Sequence, residues 1–134
     1  MKPELLEDIE RLYDAMNRRD VAAMREVGRE HPGFSWESNQ DELDSPGKLD
    51  AREVLAYSRD LFEIFDELHT EILERIDLGP DQLIFVVRHR VRGAASGVRV
   101  DRQEVHLWTA RNDRLESLRE FATIEEAREC APQS

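Results

Sequence analysis

The stretch "VVRHRVRG", residues 86–93, follows an apolar run that starts at Leu83 and sets arginines at 88, 90 and 92. Every second side chain of a β-strand points to the same side, so these three share one face. The same period of two fills most of the second half of the chain. Strands are expected near 67–77, 82–92, 98–110 and 114–122, with turns at Gly79–Asp81, at the "GAASG" of 93–97 and at Asn112–Asp113. The first half has the helical period instead. Ile9, Leu12, Tyr13 and Met16 make one apolar stripe, and that helix should stop near 17–20. Asp20 then caps a second, short helix that buries Val21, Met24 and Val27. "FSWES", 34–38, alternates as a short strand, and 39–50, with Pro46 and Gly47, reads as a polar loop. Asp50 caps a third helix with the stripe Val54, Tyr57, Leu61, Ile64 and Phe65. Thr123 caps a last one, with Glu126 completing a Thr-x-x-Glu box. Helices first and an antiparallel meander second predict one α+β domain over 1–134.

The chain has 134 residues, 30 of them acidic and 19 basic, for a net charge of −11. That balance argues against a nucleic-acid partner, which wants a basic surface. No run of 18 apolar residues exists to span a membrane. The acidic, amphipathic N-terminus lacks the apolar core of a signal peptide. Cys130 has no second cysteine to pair with, and no histidine pair has a metal-ligand spacing, so no metal or other cofactor is expected. A cytoplasmic location is the corresponding expectation.

Charge pairing selects a strand register. If the 82–92 and 98–110 strands pair so that residue numbers sum to 190, Arg88 opposes Arg102; at 191, Arg90 meets Asp101 and Arg88 meets Gln103, which is better. A two-residue turn at Asn112–Asp113 makes the next hairpin sum to 225, so Val105 meets Glu120 and Leu107 meets Leu118. One face then carries Ile84, Val86, Arg88, Arg90, Val105, Leu107, Leu118 and Glu120. The other carries Leu83, Phe85, Val87, His89, His106, Trp108, Arg119 and Phe121. Both are partly apolar, which predicts helices over one and a partner subunit over the other.

Four segments, "LYDAMNRRDVAAM", "FSWES", "AREVLAYSRDLFEIF" and "VHLWTARNDRLESLREFATIEEARE", together resemble the SnoaL-like branch of the nuclear-transport-factor-2-like superfamily. The resemblance implies a cone: a curved antiparallel sheet wrapped around N-terminal helices, with a pocket on its concave face and a homodimer formed through the outer sheet face. It also implies polyketide cyclases, ketosteroid isomerases, epoxide hydrolases, dehydratases and non-catalytic binding proteins as relatives, so fold does not settle function. The isomerases' tyrosine falls at Leu12, their general base at Ser38 and their proton donor at Val105, so that chemistry is not expected. The epoxide hydrolases' Arg-x-Asp pair becomes Arg88 and Arg90, and their last aspartate becomes Glu120, which breaks the water-activating network.

What remains on the concave face by this reading is Arg88, Arg90 and Glu120. They are either a structural ion pair at the mouth of the cone or a site, with Glu120 as acid/base and Arg88 and Arg90 gripping an oxyanion or carboxylate. Leu12, Met16, Trp36, Tyr57, Phe65, Val105, Leu107 and Leu118 would line the pocket for a small apolar or polyketide-like molecule. His106, Trp108 and His89 face outward toward a dimer partner, Arg92 is solvated, and His31 is a loop residue. Two function classes follow: a cofactor-free isomerase, cyclase or dehydratase, or a non-catalytic ligand-binding or dimerisation module.

Overall fold

The first helix, α1 (Pro3–Arg18), begins on a proline whose fixed φ suits a first turn and ends where Arg19 adopts a left-handed φ of 57°. Arg19 is held there by its side chain, which donates to the Phe62 and Phe65 carbonyls at 2.7 Å each and lies over the Phe62 ring. Asn17 ties the same helix end to the sheet, exchanging two hydrogen bonds with the Thr70 backbone. Asp20 caps α2 (Val21–Glu30) by accepting from the Ala23 N–H, as expected. Two short strands follow, β1 (Ser35–Glu37) and β2 (Lys48–Asp50). The loop expected over 39–50 therefore contains a strand. The computed structural model describes residues 1–39 and 45–131, so the centre of that loop lies outside the described residues.

Asp50 and Glu53 form a full capping box on α3 (Ala51–Ile64). Its apolar stripe is shorter than expected: Ile64 is 56% exposed, and Phe65 already belongs to the next strand. The meander is β3 (Phe65–Asp77), β4 (Gln82–Gly93), β5 (Arg99–Arg111) and β6 (Arg114–Phe121), closed by the Thr123-capped α4 (Ile124–Cys130). The strands form one open six-stranded sheet in the order β2-β1-β6-β5-β4-β3. It is antiparallel except where β1 runs parallel to β6. Among the described residues no helix is long and apolar enough to cross a membrane.

β4 and β5 pair in the register that charge pairing selects, with Arg88 opposite Gln103 and Arg90 opposite Asp101. β5 and β6 do not keep theirs. Next to the turn, Ala110 meets Leu115 and Arg111 meets Arg114, which is the expected register. Asn112 and Asp113, both with positive φ, make that turn. One residue is then added on β6: Thr109 meets Ser117, His106 meets Glu120 and Val105 meets Phe121. Glu116 is the extra residue, a β-bulge, and everything beyond it changes face.

Which face the helices cover is also the reverse of the expectation. Leu5, Ile9 and Tyr13 of α1 pack on Leu83, Phe85, Val87 and Trp108. Ala127 and Ile124 of α4 pack on the other face, against Ile84, Val86, Val105 and Leu107. Both faces read as apolar because the chain covers part of each itself.

Candidate functional site

The inner face, the one under α1, is apolar at one end of the β4–β5 pair and polar further along. The polar end collects Tyr13 of α1, Trp36 of β1, His89 of β4, Glu104 and His106 of β5, and Glu120 of β6. Strand alternation explains the set. Glu104, His106 and Trp108 are alternate residues of β5, with Val87, Phe85 and Leu83 opposite them, and the bulge delivers Glu120 to His106. Trp36 arrives through the parallel pairing of β1 on Leu118.

The hydrogen bonds run in one direction. The Trp108 indole can only donate, and it donates to the Tyr13 oxygen at 2.9 Å. The Tyr13 hydroxyl lies 2.7 Å from His106 Nδ1. Since His106 Nε2 faces the Glu104 carboxylate at 3.2 Å, its hydrogen belongs on Nε2, and Nδ1 accepts from Tyr13. Glu120 Oε2 accepts from the Trp36 indole at 2.9 Å and lies 3.5 Å from the same His106 nitrogen. His89 closes the group, with Nδ1 2.8 Å from the Thr70 hydroxyl and Nε2 3.7 Å from Glu104. Arg102 reaches the outer oxygen of Glu104 at 3.3 Å.

Burial and these partners set the charge states. Burial pushes the Tyr13 phenol well above its ordinary range, so it stays a neutral donor. Burial also lowers the His106 pKa against the opposing pull of Glu104, which keeps the ring neutral in the tautomer just derived. For Glu104, burial alone would raise the pKa, but hydrogen bonds from His106 and His89 outweigh it and hold the carboxyl well below the usual carboxylate range. The site therefore pairs an ionised, fixed Glu104 with a second carboxylate, Glu120, that stands nearer to the aromatic pair Trp36–Tyr57, whose ring centroids are 5.3 Å apart.

The residues expected from sequence divide accordingly. Glu120, Trp36, Tyr57 and Leu118 lie on the inner side or against it. Arg88 and Arg90 do not join Glu120. They stand on the opposite face with Asp101: Arg88 Nε is 3.0 Å from its carboxylate, out of line for a hydrogen bond, and Arg90 Nε is 3.8 Å away. The bulge separates the expected trio. Val105 and Leu107 likewise sit under α4 and not in a concave-face pocket. Phe65 opens β3 opposite Gly93, and Met16 is half-buried on α1. Arg92, expected to be solvated, pairs with Asp66 at 2.6 Å.

Three expectations about histidine and tyrosine are overturned. His106 and Trp108 are 3% and 2% exposed beneath α1, so neither forms a dimer surface, and His89 points inward with them. Tyr13, expected only as part of an apolar stripe, sets its hydroxyl against His106 Nδ1. His31 is buried at the end of α2, its Nδ1 accepting from the Leu115 N–H and its Nε2 2.7 Å from Asp8. Glu104 was missed altogether. The usable signal was the alternation Glu104, His106, Trp108 opposite the most apolar part of β4.

Leu12 instead lines a separate cleft of about 520 Å3 between α2 and α3, with Phe34 and Leu115 at its floor.

An open, curved antiparallel sheet with two N-terminal helices and α3 on one side is a nuclear-transport-factor-2-like architecture. An NTF2-like protein from Burkholderia pseudomallei matches 93% of this chain with 95% of its own, at a TM-score of 0.71 and 20% identity. A SnoaL-like polyketide cyclase, so described, from Jannaschia matches over 99% and 98%, at 0.69 and 20%. IdmH of Streptomyces antibioticus, described as a polyketide cyclase, matches over 88% and 91%, at 0.70 and 15%. No curated protein matches in sequence. The chain belongs to the SnoaL-like domain family, whose family model matches residues 9–118.

Proposed function

We propose that this SnoaL-like domain binds a small, flat, mostly apolar molecule in the cone, against Trp36, Tyr57 and Leu118, and catalyses cofactor-free proton transfer on it. The products would be those of isomerisation, cyclisation or dehydration. The observation that carries this reading is the convergence of Glu120 and His106 within 3.5 Å on the inner face, beside an aromatic pair. Structural neighbours described as polyketide cyclases support a polyketide-like substrate class.

Glu120 is the acid/base. The Trp36 N–H orients its carboxylate, which would take a proton from carbon. The oxyanion role expected of Arg88 and Arg90 passes to the inner face, where His89 is the more open imidazole, its side chain 19% exposed. Glu104, held ionised, and neutral Tyr13 orient His106 between them and do not themselves need to touch substrate. The reading also includes a homodimer through the outer sheet face beyond α4 and a cytoplasmic location.

The test is deuterium uptake from D2O into a panel of flat, enolisable aromatic ketones, followed by NMR. Glu120→Gln keeps an acceptor for Trp36, so the fold stays while the base is lost. Its exchange rate should drop by about 100-fold or more. Equal rates in wild type and variant would remove Glu120 from the chemistry. The second reading, a non-catalytic binding or dimerisation module, is favoured by one observation: Tyr13, His106 and Glu104 already satisfy one another. In that case ligands raise the melting temperature and no exchange is catalysed.

A further inference from the structure

We propose that the α2–α3 cleft is a second binding site, for an amphipathic organic anion: a compact apolar body, such as a fused aromatic ring system, carrying one carboxylate. The cleft does not share residues with the inner-face cluster. Its volume of about 520 Å3 suits a small organic ligand. Leu12, Phe34 and Leu115 give it an apolar floor.

Its walls carry one sign of charge. α2 supplies Arg25 and Arg29, one helical turn apart, and α3 supplies Arg52 and Arg59, two turns apart. No carboxylate is among the described lining residues. His31 also lines the cleft, but both its ring nitrogens are already engaged, by Asp8 and by the Leu115 N–H. The four arginines make no hydrogen bond or ion pair within the described residues. That is unusual in this chain, where acidic residues outnumber basic ones 30 to 19 and Arg11, Arg18, Arg75, Arg88, Arg90 and Arg92 all have carboxylate partners. Two pairs of like charges across an apolar floor repel one another when the cleft is empty. A carboxylate between them removes that repulsion and accepts paired N–H groups.

A glycine keeps the space open. Gly28 lies in the last turn of α2, where alanine would still favour the helix, and lines the cleft without a positive φ. Nothing lies within 4 Å of where its Cβ would be, so the residue leaves room that a side chain would take.

The experiment compares 1-pyrenebutyrate with the uncharged 1-pyrenebutanol by fluorescence anisotropy, using the full chain at low and high salt. Wild type should bind the carboxylate about tenfold or more tighter than the alcohol, and that preference should shrink as salt screens it. Replacing Arg25, Arg29, Arg52 and Arg59 together by Gln should erase the preference while circular dichroism stays unchanged. Gly28→Leu should weaken both probes by filling the cleft. Trp36→Ala, on the inner face, should leave the preference for the carboxylate unchanged. The proposal is overturned if wild type binds neither probe or shows no preference, or if the preference survives the fourfold variant. It is equally overturned if Trp36→Ala abolishes the preference, which would put the carboxylate in the cone.

Discussion

Removing one oxygen from the middle of the buried relay, Tyr13→Phe, should destabilise the protein far more than its size suggests. The phenyl ring keeps the edge-on contacts of Tyr13 with Phe85 and Trp108, centroids 5.9 and 5.8 Å away, so packing is nearly preserved. What is lost is the acceptor of the Trp108 indole N–H and the donor to His106 Nδ1. Both partners are under 4% exposed, so water does not replace the hydroxyl without opening the core. Leaving a buried polar group unsatisfied costs about 1–3 kcal/mol, so two of them give a loss of roughly 2–6 kcal/mol. For a domain of this length that corresponds to a fall in Tm of about 6–24 °C. Urea unfolding should show a lower midpoint with an unchanged slope, the sign of lost stability in an intact fold. A loss below about 0.5 kcal/mol, the size of an ordinary surface change, would refute the relay and the His106 tautomer derived from it.

Acid should weaken the fold through His106. Its folded pKa is lowered by burial, so between that value and the ordinary value near 6.5 the unfolded chain binds the extra proton, and stability falls as pH drops by up to about 1.4 kcal/mol per unit. Unfolding midpoints that stay flat from about pH 7.5 to 5.5 would contradict a neutral, buried His106. Glu104→Gln removes the charge that His106, His89 and Arg102 share, and should cost about 1.5–3 kcal/mol by the same urea assay. Gly28→Ala should instead stabilise by about 0.5–1 kcal/mol, since it improves helix propensity and its methyl meets nothing. A destabilised Gly28→Ala would mean that the α2–α3 space is smaller than described.

Local signals in this sequence are strong and the long-range ones are not. Asp20, Asp50 and Thr123 cap the helices they were expected to cap, because capping depends on residues three apart. The β4–β5 register was legible because Arg90 and Asp101 attract while Arg88 and Arg102 would repel. The β5–β6 register was legible only beside the turn. A bulge adds a residue without any mark in composition, and Glu116 is an ordinary exposed glutamate. The face assignment failed for a different reason. Glu104, His89 and His106 look like surface residues, and only three-dimensional pairing shows that they satisfy one another beneath α1. Ile84, Val86, Val105 and Leu107 were assigned to the concave face because a helix of seven residues after β6 was not credited with covering them.

The bulge at Glu116 acts on β6 as a shift of reading frame acts on a message. Upstream the strand keeps one phase, and downstream each side chain is delivered to the opposite address. Were β6 to pair without the bulge, in the register set beside the turn, Arg119 would come in beside His106 and Glu120 would turn outward opposite Val105. The interior of the cone would exchange a carboxylate for a guanidinium without one substitution among its lining residues. In this hairpin, the presence of one bulge is then as direct a control over the sign of the interior charge as the identity of any residue in it.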